Sequence, residues 1–170
     1  MSFADASFDG AFLCWVLEHV KNPEDILKEV KRVVKPGGSV YITEVMNASF
    51  FVEPYSPNTL KYWMAFNDYQ YEHSGDPFVG YKLGNLLNQC GFRDIETNVK
   101  TWHLDNRRPG ERKEIVEYWT ELLLSASDQL IASGHVSEDI VDGMKGEMEL
   151  VSKDPNAVFF DIFMQAKATV

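Results

Sequence analysis

The tightest constraint on this chain is a strand–helix–strand pattern near its N-terminal end. Phe8 to Val16 (FDGAFLCWV) is an apolar run too short for a free-standing helix and rich in strand formers, which predicts a strand buried on both faces in the middle of a parallel sheet. Asn22-Pro23-Glu24-Asp25 then supplies an N-cap, a proline for the first helical position and acidic groups for the first turn. Ile26, Leu27, Val30, Val33 and Val34 recur at helical spacing, and Pro36-Gly37-Gly38 stops the helix. Ser39 to Val45 (SVYITEV) is a second β-branched run. Strand, helix and strand at this spacing are the size of a βαβ crossover, so the class is α/β.

The remaining segments predict further elements on the same scale. Ser56-Pro57 opens a helix carrying Leu60, Tyr62, Trp63, Phe66 and Tyr69, with aromatics on more than one face. His73 to Pro77 is turn chemistry, Tyr81 to Cys90 a helix, and Gly91 its left-handed stop. From Asp94 to Leu104 the apolar side chains change face, which predicts a strand with a bulge or a change of surroundings near Lys100. Glu111 to Ser133 repeats at helix period, Ser137 caps a further helix, and Ala157 to Lys167 closes as a strand.

Composition excludes several functions. Two cysteines, Cys14 and Cys90, lie in apolar surroundings without metal-type spacing, which predicts buried reduced thiols. The four histidines form no zinc-type pair with a carboxylate, so no metal is expected. A formal net charge of -10 repels a phosphate backbone at long range, which argues against a nucleic-acid substrate. No apolar stretch is long enough to span a membrane, and Met1 to Asp5 carries no export signal; a soluble, cytoplasmic protein of one domain is expected.

Three blocks within forty residues carry a resemblance: Ser2-Phe3-Ala4-Asp5-Ala6-Ser7-Phe8-Asp9, then Trp15-Val16-Leu17-Glu18-His19-Val20, then Leu27-Lys28-Glu29-Val30 with Arg32-Val33-Val34-Lys35-Pro36-Gly37-Gly38. In order and spacing they resemble class I S-adenosylmethionine-dependent methyltransferases of the small-molecule, ubiquinone/menaquinone-biosynthesis-like type. The resemblance continues more weakly from Gly75 to Leu83 and from Leu86 to Phe92. It implies a Rossmann-like sheet with helical inserts, in which the strands here match the family's fourth to seventh. It further implies one partial domain over residues 1–170, with residues 53–80 as a substrate-covering insert. On this reading the chain is the C-terminal portion of the family domain, it lacks the glycine-rich cofactor motif, and the adenine-contacting aspartate falls just before Met1.

In open α/β sheets ligands bind beyond the carboxyl ends of the strands. The resemblance therefore implies that Cys14, Trp15, Val16, Leu17 and His19 face S-adenosylmethionine. Trp15 equally suits an aromatic plug between sheet and helix, and His19 a helix-entry residue bonded to backbone. Glu44 and Asn47, after the second strand, lie where a small-molecule acceptor would sit, as do Tyr69, Tyr71, His73 and Asp76 in the covering segment; each also reads as a solvated or structural group. His19 and Glu44 are the candidate catalytic groups, and a base is needed only if the acceptor must lose a proton.

Two functions compete. One is methyl transfer to a small molecule as part of a larger enzyme, with weak or no cofactor binding by this chain alone. The other is a non-catalytic half-fold that dimerises or binds a partner. In either, an uncovered edge of the strand Phe8 to Val16 calls for a second copy or for an N-terminal half.

Overall fold

The computed structural model describes residues 3–170; Met1 and Ser2, quoted above in the first motif block and as the neighbours of an adenine contact, lie outside the described residues. Two compact units are present, one formed by Met1–Asn47, Ser74–Lys100 and Ile162–Val170, the other by Ala48–His73 and Thr101–Asp161. The second unit interrupts the first twice along the chain, giving an α/β sheet of Rossmann-like type with helical inserts.

In the sheet unit, β1 (Phe8–Cys14) runs parallel to β2 (Val34–Val45), with α1 (Pro23–Val33) between them in sequence. Proline at the start of α1, Glu24 and Asp25 in its first turn and Lys31 and Arg32 in its last fit the orphan N–H groups and the dipole of a helix. The register jumps from Phe8↔Val34 to Gly10↔Ser39, so Lys35 to Gly38 form an irregularity inside β2 rather than a stop before it. Gly37 sits at φ 83°, and a Cβ on Gly38 would come within 2.7 Å of the Asp9 carbonyl oxygen. Strand β5 (Val158–Thr169) lies antiparallel to β2 from Ser39↔Thr169 to Val45↔Phe163, and β4 (Arg93–Leu104) also pairs with β5.

The apolar rows of this sheet, Leu13, Val40, Ile42, Ala166 and Ala168, share one core with Leu27, Val30 and Val33 of α1 and Leu86 and Leu87 of α3 (Leu83–Gln89). Gly91 ends α3 at φ 75°, and Lys31 Nζ donates to the carbonyls of Cys90 and Gly91 at 3.1 and 2.6 Å. Strand β1 departs from expectation. It stands at the end of the strand order, paired with β2 alone among the described residues. Phe8, Asp9, Gly10 and Cys14 are exposed, and Phe12 is 70% exposed. Helices cover only the face that carries Leu13 and Ala11, so alternate side chains, the Cys14 thiol included, point to the other.

In the helical unit, β3 (Phe51–Glu53) pairs antiparallel with the first residues of β5. The helices are α2 (Pro57–Glu72), α4 (Pro109–Leu124), α5 (Ser127–Ala132) and α6 (Glu138–Lys153). The single helix expected from Glu111 to Ser133 is thus two, broken at Ser125-Ala126, where the Tyr62 hydroxyl bonds the Leu123 carbonyl oxygen and lies 3.0 Å from Ser127 Oγ. Phe50, Trp63, Trp119 and Phe159 form the aromatic centre of the core, with Phe50 and Trp63 centroids 5.0 Å apart. Strand β4 passes from the sheet unit into the helical unit after Lys100, which is the change of surroundings its pattern foretold. Among the described residues no helix is long and apolar enough to cross a membrane.

Two polar groups tie the helical unit together. Arg112 is buried, and its guanidinium donates to the carbonyls of Asp154, Pro155 and Ala157 at 2.8, 3.0 and 3.0 Å. Ser56 does not cap α2 through its side chain; instead Glu147 of α6 accepts from Asn58 N and Nδ2 at 3.0 and 2.7 Å and from Thr59 N and Oγ1 at 2.7 and 2.9 Å. Burial pushes the Glu147 carboxyl up, but these four donors outweigh it and hold the group below its ordinary value. Glu147→Ala should therefore cost about 2–4 kcal/mol, since the buried donors of Thr59 lose their acceptor, as read by urea denaturation of the full chain. The contribution is complete at neutral pH and lost as pH falls through the lowered value.

Candidate functional site at the carboxyl ends of β1 and β2

Because β1 and β2 are parallel, Cys14 and Thr43 lie side by side where the strands finish. The chain then turns sharply. Trp15 takes φ 53°, a left-handed conformation costly for a bulky side chain, and its N–H donates to the Thr43 carbonyl at 2.9 Å. Val16 and Leu17 lie past the strand ladder, and their N–H groups donate instead to one carboxylate oxygen, Glu44 Oε1, at 3.1 and 2.9 Å. A 3-10 turn, Leu17–His19, follows.

The segment after Ser74 backs this turn. The Asp76 N–H donates to the Glu18 carbonyl at 2.7 Å, and the Asn47 N–H to the Pro77 carbonyl at 3.1 Å. Asp76 is fixed in turn: Oδ1 accepts from the Phe78 N–H at 3.1 Å and Oδ2 pairs with Lys82 Nζ at 2.5 Å. Gly80 meets the end of β2 so closely that a Cβ would lie 2.5 Å from the Val45 carbonyl oxygen and 2.9 Å from that of Glu44.

Glu44 is 0% exposed, and its second oxygen, Oε2, has no hydrogen-bond partner among the described residues. Burial raises its pKa, the N–H groups of Leu17 and Val16 lower it, the Glu18 charge raises it and the Glu18 N–H lowers it, leaving it at about 7. Burial and the Glu44 charge likewise push the Cys14 thiol up. A group poised near neutrality at a strand end can hold or release one proton there.

The sheet unit thus brings together Cys14, Trp15, Val16, Leu17, His19, Glu44, Asn47 and Asp76. His19 is exposed, with Nε2 3.5 Å from Glu18 Oε1. Glu44 and Asn47, placed by the sequence beside an acceptor, are both buried. Tyr69, Tyr71 and His73 belong to the helical unit, at the end of α2. There the Tyr69 ring lies 4.1 Å from the His73 ring and 5.3 Å from that of His135, His73 Nδ1 is 2.8 Å from the Tyr69 carbonyl oxygen, and Tyr71 is exposed. The sequence reading missed close-packed Gly80. A glycine inside a short polar–apolar mixture gave no periodic signal, whereas Glu44 was found from its place at the end of the second strand.

Comparison with known proteins agrees with this architecture. Residues 1–42 match the family model described as a methyltransferase domain. A demethylmenaquinone methyltransferase of Tropheryma whipplei (strain Twist) is 30% identical over 105 residues, 55% of this chain and 44% of that protein. That of Desulfitobacterium hafniense (strain Y51) is 32% identical over 114 residues, 55% and 42% of the two chains. The chain thus spans less than half the length of these relatives. Among solved structures, a putative methyltransferase from Bacillus halodurans C-125 superposes at a TM-score of 0.51 with 17% identity, over 99% of this chain and 72% of that one. The YcgJ protein of Bacillus subtilis gives 0.52 at 13%, over 99% and 67%. These share the fold. One expectation is corrected: the chain is not a C-terminal remnant outside the family's motif region, because the family model matches its N-terminal residues 1–42.

A raised carboxyl fixes the sign of a pH effect. The part of stability owed to Glu44 is complete below about pH 4.5 and is lost as pH rises through about 7. Wild-type stability relative to Glu44→Gln should fall by up to about 3 kcal/mol across that window, measured by urea unfolding at a series of pH values.

Proposed function

We propose that this chain takes part in S-adenosylmethionine-dependent methyl transfer to a small-molecule acceptor. The observation that carries the reading is the turn at the carboxyl ends of β1 and β2, in a Rossmann-like sheet whose first segment matches the methyltransferase-domain model. The names of the relatives and the shared fold support the same cofactor. The strand order also supports reading β1, β2, β4 and β5 as the family's fourth to seventh strands, since β5 runs antiparallel to β2 and pairs with β4.

The residues present fit such a cofactor. Cys14, Trp15, Val16, Leu17 and His19 offer a mixed apolar and polar wall at a strand end, where open α/β sheets take ligands. When bound, S-adenosylmethionine supplies a methyl group on an already activated sulfonium. The work left to the protein is alignment and charge balance. The turn from Trp15 to Leu17 aligns, and the carboxylates of Glu18, Glu44 and Asp76 lend negative charge near it. Asn47 and Asp76 form the acceptor side within the sheet unit. Where the acceptor is a hydroxyl, the exposed imidazole of His19 takes its proton.

A second reading, a non-catalytic interaction module, is favoured by one observation: the open edge of β1 with exposed Phe8 and Phe12. The occupant that suits it is a second copy of the chain, pairing edge to edge. Titration calorimetry with S-adenosylmethionine separates the readings. Methyl transfer requires saturable binding, expected to be weak, with a dissociation constant near or below about 1 mM, roughly -4 kcal/mol; absence of heat at several millimolar leaves only the module. Light scattering should report a dimer, and a monomer at high concentration would remove the edge pairing.

A further inference from the structure

We propose that Glu44 is a positioning residue, a side chain that carries the β1–β2 hydrogen bonding past the last paired residues and holds the Trp15–Leu17 turn in the shape offered to the cofactor. The proposal rests on the reading of that turn as a cofactor wall. Its starting point is an accounting of backbone donors. The N–H of Trp15 ends the parallel ladder on the Thr43 carbonyl. The next two N–H groups, those of Val16 and Leu17, both end on a side-chain oxygen, Glu44 Oε1. Leu17 is fully buried, so without this oxygen its donor would lack both protein and water.

The arrangement is built from several sides. Glu44 precedes Val45 at the end of β2, so its side chain reaches the turn from a rigid strand. Gly80 packs against the carbonyls of Glu44 and Val45 with no space for a Cβ, which restrains that strand end from behind. Trp15 in the left-handed region redirects the chain just before the two donors. The division of labour within the carboxyl group is the telling detail. Oε1 takes both N–H groups, while Oε2 is buried with no hydrogen-bond partner among the described residues. A proton carried on Oε2 leaves Oε1 a carbonyl acceptor, so the turn stays tied in either state. A glutamine, with its own carbonyl oxygen on Oε1, can do the same; an aspartate, one methylene shorter, cannot reach.

Amide hydrogen exchange by NMR on the full chain tests this, with Val16 and Leu17 as reporters and Val40 and Ile42 in mid-β2 as reference. Glu44→Ala should speed exchange at both reporters more than about tenfold with the references within about threefold, and Glu44→Gln should stay within about threefold of wild type throughout. Should the alanine variant fail to fold, Glu44→Asp carries the same expectation of selective loss. Unchanged reporters in the variant that folds, or reporters and references rising together, would overturn the proposal. A second measurement is cofactor affinity. It should fall about tenfold in Glu44→Ala or Glu44→Asp and be restored in Glu44→Gln. A fall without faster exchange at Val16 and Leu17 also overturns it. A wild-type chain that binds no S-adenosylmethionine defeats the proposed function, whereas the exchange result still decides whether Glu44 sets the turn.

Discussion

The antiparallel ladder between β2 and β5 is the interaction on which the sheet unit depends. It joins Ser39–Val45 to Phe163–Thr169, segments separated by most of the chain. Without it β2 would be left with one partner, and the apolar face of Val40 and Ile42 would lose Ala166 and Ala168. Loop-closure entropy grows only logarithmically with length, about 0.6 kcal/mol per doubling, so a long excursion is affordable once the ladder forms. That allows a second unit with its own core to be carried between two neighbouring strands.

What the sequence disclosed follows the same division between local and distant causes. Helix α1 was legible because proline at its start, acids then bases along it and an apolar stripe are all properties of adjacent residues. The end of α3 at Gly91 was legible for the same reason, as was the change of face in β4. Burial of β1 was not. FDGAFLC has the composition of a central strand, and only the identity of its neighbours in space makes Phe12 and Cys14 surface residues. The break after α4 was also hidden, since Leu122, Leu123, Leu130 and Ile131 keep helical period across it, and the cause is a tertiary contact from Tyr62. Strand β3, three residues long, is too short to leave a pattern.

At the candidate site the residue types were legible and their directions were not. Glu44 drew notice from its place at the end of the second strand, where an acceptor would sit. Alternation along β2 instead puts it on the face of Val40 and Ile42, where it is buried and turns back to the chain. Asn47 is buried as well, while His19 is exposed. The strand end therefore has a buried inner layer and an exposed outer one.

The position of β5 has a consequence during synthesis. It is made after β2, β3 and all the helical segments between, and it completes both the ladder with β2 and the short one with β3. At about 5–20 residues per second, β2 would wait on the order of ten seconds for its antiparallel neighbour. For that interval the β2 edge of the βαβ unit stays open, and β5 later closes it. Vulnerability to mispairing in the cell is thus set by elongation rate over the helical inserts, and slow codons between Ala48 and Asp161 would lengthen it without altering a single residue.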